Sequence, residues 1–255
     1  MKTDSADYRQ QHTFRPINTY SHLRLSEVTS LQEVLDCLAT LRREQPEFRF
    51  LCTLDDIGQC CYTSGHASMD DRLYLDGDVD FDDPEAVHAW EGKGLAHVAA
   101  QLQSGLQQTW SDVVGELEIT DEGIDALLAM NRNADAVLDD VVYVQRLPVA
   151  RDDLLIAGLP NGYFSCDWDV FQNHAVIRHL QEKHAYRFFG MGAAWLGFIR
   201  DQPIESSDAE SLVADLRQLY GQHKPAHNET AWREFSQVIQ QQEVLLLGYI
   251  ENFAE

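Results

Sequence analysis

The chain has no long hydrophobic run. Nowhere do about eighteen uncharged apolar residues follow one another, and the beginning of the chain lacks a stretch of signal-peptide length, so it is expected to be neither membrane-spanning nor secreted. Cysteine is sparse and badly spaced for cross-linking. Cys37, Cys52, Cys60, Cys61 and Cys166 make an odd count with no CxxC pair, which excludes a disulfide framework and a structural zinc site and makes a reducing cytoplasm the expected location. Positive charge is scarce as well. With 19 Lys and Arg against 42 Asp and Glu, the net charge of −23 repels nucleic-acid phosphates and anionic lipid headgroups and favours a basic protein as partner.

What is present is an ordinary apolar fraction, 44% of 255 residues, enough for one large core or two small ones. The negative charge is concentrated. Residues 70–140 hold 18 Asp and Glu against three bases, Arg72, Lys93 and Arg132, so the middle of the chain is a solvated acidic surface or an electrostatic face for a cationic protein.

Residues 1–20 show no apolar period and read as a tail or an edge segment tied down by Phe14 and Tyr20. Ser30 with Glu33 has capping-box spacing, and Leu31, Val34, Leu35, Leu38 and Leu41 fall on one helix face that ends before Pro46. Phe48, Phe50, Cys52 and Leu54 alternate as in a half-buried strand, with Gln59 to Thr63 as a returning strand after the Asp55–Gly58 turn, which places Cys52, Cys60 and Cys61 in a sheet. Arg72 to Leu75 is a further short strand candidate. Pro84 suits the first turn of a helix that Gly92 and Gly94 are expected to break, with Val98, Leu102, Leu106 and Trp110 as a buried stripe.

Thr120 or Asp121 caps a shorter helix carrying Ile124, Leu127 and Leu128, and Val141 to Val144 reads as a strand. Arg151 to Asp153 is the place for a boundary between lobes 1–150 and 151–255, if the chain is two lobes rather than one domain, and Leu154 to Ala157 is another short strand candidate. Asp169 and Gln172 have the spacing of an N-cap and its partner, and residues 188–199 form an apolar hairpin for that helix to cover. Ser207 to Glu210 repeats the capping-box spacing, and Trp232, Phe235, Ile239, Leu246, Tyr249, Ile250 and Phe253 trace one long last helix.

Few motifs carry chemistry. Asp76, Asp78 and Asp80 are spaced like the start of a calcium loop, but Phe81 stands where that loop needs glycine and Val87 where it needs a bidentate glutamate. His174, His179 and His184 are five apart, so each turns about 140° from the last and the three cannot share one helix face; one or two can join a site only with help from elsewhere. Gly190-Met-Gly192 lacks the third glycine and the following helix of a dinucleotide fingerprint. Cys60 or Cys61 with His66 and Asp70, and Ser165 with Cys166 and His174, have no recognised nucleophile spacing. No catalytic residue, cofactor or metal is expected.

Gly162-Tyr-Phe-Ser165, Asn173, Tyr186 and Phe189-Gly-Met-Gly192-Ala193 give residues 159–200 a resemblance to uncharacterised bacterial α+β domains of the polymorphic toxin and immunity repertoire. That resemblance implies a helix followed by a strand ending in a GxG turn, and an immunity role. The combined expectation is an α+β protein with antiparallel strands and helices covering one face. Its expected function is non-enzymatic: an acidic binding protein, most like an immunity protein that neutralises a basic toxin or effector. The binding residues would be Asp70, Asp71, Asp76, Asp78, Asp80, Asp82 and Asp83, with Tyr163, Asp167, Trp168 and Asn173 in a polar-aromatic turn. The alternatives are a metal-assisted hydrolase using the Asp76–Asp83 carboxylates with His66 or His88, and a structural or adaptor subunit.

Overall fold

A computed structural model describes residues 1–221 and 228–254. Strands β1 (Lys2–Ser5) and β2 (Ser21–Ser26) precede α1 (Leu31–Glu44) and β3 (Arg49–Thr53). Helix α2 (Ile57–Ala67) precedes the acidic middle, in which α3 (Pro84–Gln101), α4 (Trp110–Val113) and α5 (Asp121–Arg132) lead to β4 (Val141–Leu147). A 3-10 segment, Asp152–Gly158, connects to α6 (Val170–His184), the hairpin β5 (Arg187–Met191) and β6 (Trp195–Ile199), α7 (Ser206–Leu219), α8 (Glu229–Ile239) and β7 (Val244–Gly248).

The seven strands form one sheet in the order β1-β2-β4-β3-β5-β6-β7, antiparallel except where β3 runs parallel to β5. This sheet draws strands from both sides of Arg151, so the α+β fold is built around one shared sheet rather than one sheet per lobe. Consecutive residues are buried along β3, β5, β6 and β7. Successive side chains of a strand point to opposite faces, so both faces of the sheet are covered there and not one, as the alternating stretch around Phe48 suggests. Helix α6 packs on β5 and on the 3-10 segment, and α5 packs on α8 and β7. At β7 the buried Asn131 of α5 serves the strand's backbone, donating from Nδ2 to the Leu246 carbonyl at 2.8 Å and accepting the Leu246 N–H on Oδ1 at 2.8 Å.

Several local expectations hold. Ser30 caps α1, Thr120 caps α5, Pro84 opens α3, and Asp169 with Gln172 forms a reciprocal capping box at α6. Others fail for identifiable reasons. Gln59 to Thr63 is helix, because Asp56 caps it by accepting the Gln59 N–H and because Cys60, Thr63, Ser64 and Ala67 bury at helical spacing; of the three cysteines only Cys52 lies in the sheet. Helix α3 continues through Gly92 and Gly94, a cost of about 1 kcal/mol per glycine that packing of Leu95 and Val98 offsets. It ends at Gln101, which leaves Leu106 exposed instead of in a buried stripe. Arg72 to Leu75 is a turn running into irregular chain, Leu154 to Ala157 belongs to the 3-10 segment, and α7 begins one residue earlier than Ser207, with Glu205 at its N-cap position making no side-chain cap bond. The long last helix is α8 followed by β7, since the apolar run Val244–Gly248 pairs with β6. Of residues 1–20, Lys2–Ser5 is an edge strand, β1 on β2, and the remainder is turn and irregular chain.

Candidate functional site

Helix α2 organises an exposed face. One side of it is buried, and the other presents Tyr62 and His66, with Met69 one turn further on. The Tyr62 ring meets His66 edge-on at 4.5 Å between centroids, His66 meets Tyr163 at 4.7 Å, and Tyr163 meets Phe164 at 5.3 Å. Four rings from two segments thus form a continuous ladder. Tyr62, Tyr163 and Phe164 are each about half exposed, and none lies in the core.

The turn that raises Tyr163 and Phe164 is held from beneath. Asn161 is buried and donates from Nδ2 to the Cys60 carbonyl at 3.0 Å, which ties the turn to α2. Gly162 has φ +105, and a Cβ there would sit 1.9 Å from the Trp168 carbonyl oxygen, so only glycine fits. Asn173 is fully buried and its Nδ2 donates to the carbonyls of Asn161 and Trp168 at 3.1 and 3.0 Å. Trp168 is buried too, stacked on Tyr220 at 5.5 Å. Neither Trp168 nor Asn173 reaches the surface, so the expectation of two partner-contacting residues gives way to two that position the turn. Asp167 is half-buried; its Oδ1 accepts the Glu251 N–H at 3.3 Å, and burial pushes its carboxyl above the usual range.

The acidic loop meets α2 at a cleft lined by Cys61, Ser64 and Gly65 together with Asp78. Asp71, Asp76, Asp78, Asp80, Asp82 and Asp83 are exposed. Two of them also shape the chain, for Asp80 accepts the Asp82 N–H and Asp83 caps α3 through the Glu85 N–H. Asp70 is drawn inward by Arg72, whose guanidinium donates to both Asp70 oxygens at 2.8 and 2.7 Å and to Asp169 Oδ2 at 2.8 Å while lying over the Phe171 ring. That cation fastens the start of the loop to the N-terminus of α6 and holds the Asp70 carboxyl below its ordinary range. Further along, the Trp90 ring of α3 covers Gly77 so closely that a Cβ would lie 2.3 Å from it.

Between the loop, α2, α3 and residues 157–160 lies a cleft of about 550 Å³ whose lining includes Tyr20, Met69, Tyr74, Asp78, Phe81 and Trp90. Met69, Tyr74 and Phe81 are exposed, Phe81 to 79%. Asp78 and the aromatic walls make it an acidic, ring-lined recess. A Lys or Arg side chain entering it would meet carboxylate and π-faces together.

The structure therefore brings Tyr163 and the aspartate loop to the same helix. Sequence reasoning missed Tyr62, Met69, Tyr74, Phe81 and Phe164, and placed His66 with a nucleophile or a metal instead of in a ring ladder. The i, i+4, i+7 spacing of Tyr62, His66 and Met69 was the available signal, hidden by reading that stretch as a strand. The Asp76–Asp83 carboxylates do not gather around a point. Among the described residues the one set of three or more His, Cys, Asp or Glu close enough to share an ion lies elsewhere, at His179, His184 and Asp215. His66 is part of the ring ladder, and His88 bonds Thr19 Oγ1 at 2.9 Å and stacks on Tyr8.

No family model, curated protein or solved structure matches the chain. Among the described residues no helix is long and apolar enough to cross a membrane.

Proposed function

We propose that this chain is a non-enzymatic binding protein that captures a basic protein on the α2 face, in the manner of an immunity protein blocking a basic toxin or effector. The carrying observation is the pairing of a four-ring ladder, three of its rings about half exposed, with a loop of exposed carboxylates that meets the same helix at the cleft lined by Asp78. The rings supply large, stiff contact area, the kind of anchor that dominates interface energies. The carboxylates steer a cationic partner during diffusion, an effect that salt screens. Dispersed aspartates do not suit a hydrolytic metal site, which needs carboxylates converging on one ion, and this disfavours the hydrolase reading.

The test is association with the product of the adjacent gene, measured by surface plasmon resonance at low and high salt. A complex is expected, with the on-rate falling by about tenfold or more as salt rises. Replacing Asp76, Asp78 and Asp80 together by lysine should slow association, whereas Tyr163→Ala with Phe164→Ala should speed dissociation without lowering Tm. Absence of a complex at both salt concentrations overturns the proposal, as does a complex indifferent to both sets of substitutions.

A further inference from the structure

At the opposite end of α6 from the Asp169 cap, two histidines of that helix meet a carboxylate of α7. His179 Nε2 and His184 Nε2 both lie on one oxygen of Asp215, Oδ2, at 2.7 and 2.8 Å. Lys183 Nζ donates to both oxygens of the same carboxylate, at 2.9 and 2.7 Å. The Trp110 ring of α4 lies flat against His179, with centroids 3.7 Å apart and planes within 12°. His184 and Asp215 are buried, His179 is partly open, and the Lys183 side chain is 46% exposed. Burial opposes ionisation of Asp215, yet the bonds from Lys183, His179 and His184 prevail and hold its carboxyl down at about 2.

We propose that His179, His184 and Asp215 form a site for a divalent transition metal, best suited to Zn²⁺, and that the Lys183 ammonium stands in for the cation when the metal is absent. Two imidazole nitrogens and one carboxylate oxygen are a ligand set that zinc favours, whereas calcium and magnesium prefer oxygen alone. The three ligand atoms lie within 4.8 Å of one another. Ligands about 2.0–2.1 Å from a tetrahedral zinc sit about 3.3 Å apart, so each histidine-to-carboxylate distance must open by about half an ångström and the two imidazole nitrogens must come to the same spacing.

The scaffold favours such a site. Asp215 and the two histidines project from helices of fourteen and fifteen residues, and Trp110 fixes one imidazole plane by stacking. The Lys183 side chain is 46% exposed, so its ammonium can swing out to solvent and leave its place on the carboxylate to a fourth ligand. Three protein ligands with a solvent-accessible fourth position is the open form of zinc coordination. Binding at Nε2 requires that nitrogen to be free of its proton, which an imidazolium releases to solvent and a neutral ring moves to Nδ1. Affinity therefore falls as pH drops.

The test uses the full chain, stripped with a chelator and titrated with Zn²⁺ by calorimetry and with Co²⁺ by visible absorption. The expected result is one equivalent of Zn²⁺, intense Co²⁺ bands of four-coordination, and an affinity at least about 100-fold weaker in His179→Ala. Lys183→Met, which removes only a competing charge on a half-exposed side chain, should tighten Zn²⁺ binding. Failure of the wild-type protein to bind stoichiometric Zn²⁺ overturns the proposal. Unchanged affinity in a folded His179→Ala protein, or weaker binding in Lys183→Met, overturns it too, because the ion would then rest on other groups.

Discussion

Asp55 offers the sharpest test of how the sheet's parallel junction is built. It follows β3 where the pairing with β5 ends, and its backbone carbonyl accepts the Ala193 N–H at 3.1 Å. Oδ2 accepts the Ala194 N–H at 2.9 Å, while Oδ1 is buried without a hydrogen-bond partner beside Gly192. Burial raises the carboxyl from 3.8 to about 6, against the pull of the backbone donors. The folded state thus binds this proton more tightly than the unfolded chain does. Stability from this group is fully present below about 4 and is lost as pH rises towards about 6, leaving the whole cost in place at neutral pH. Displacement from 3.8 to about 6 corresponds to about 3 kcal/mol, and the carboxylate is not sealed from water, so about 2 kcal/mol is the working figure. Asparagine carries no charge and keeps an oxygen for the Ala194 N–H. Asp55→Asn should therefore be about 2 kcal/mol more stable at neutral pH and equal to the wild type near pH 4. Urea denaturation of both proteins across that range measures the difference directly. A difference that does not change with pH, or a less stable variant at neutral pH, would refute the reasoning.

Arg72→Met should cost about 1 kcal/mol, a modest figure because the ion pairs with Asp70 and Asp169 are one-third exposed. Its clearer sign is faster amide exchange in residues 70–83, since the cation that fastens the loop to α6 is gone. Asn131→Ala should cost about 3 kcal/mol in chemical denaturation by leaving the Leu246 N–H and carbonyl unpaired inside the protein; a loss under about 1 kcal/mol would mean that water replaces the amide there.

How much of this was legible depended on whether the deciding interaction was local. The caps at Ser30, Thr120 and Asp169 act over three residues, so residue type and spacing were enough to find α1, α5 and the start of α6. The β5–β6 hairpin was legible for the same reason. Helix α2 was not. Cys60, Cys61 and Thr63 suit a strand, and the helix owes part of its start to Asp139, 82 positions away, whose Oδ2 accepts the Ile57 N–H. β7 was misread because four apolar residues in a row, Val244 to Leu247, show neither period clearly, and its partner β6 decides the matter.

The sequence by itself determined the sign and concentration of charge, the α+β class and the aromatic turn at Tyr163. Each is a matter of composition or of contacts a few residues apart. Only the tertiary structure decided which aromatic faces outward, because Asn161, left-handed Gly162 and buried Asn173 turn Trp168 in and Tyr163 and Phe164 out. It alone brought Tyr62 and His66 beside that turn, and it alone set Asp215 between two histidines that helical periodicity keeps on different faces. Sites assembled from distant segments depend on chain packing, and no local pattern carries that information.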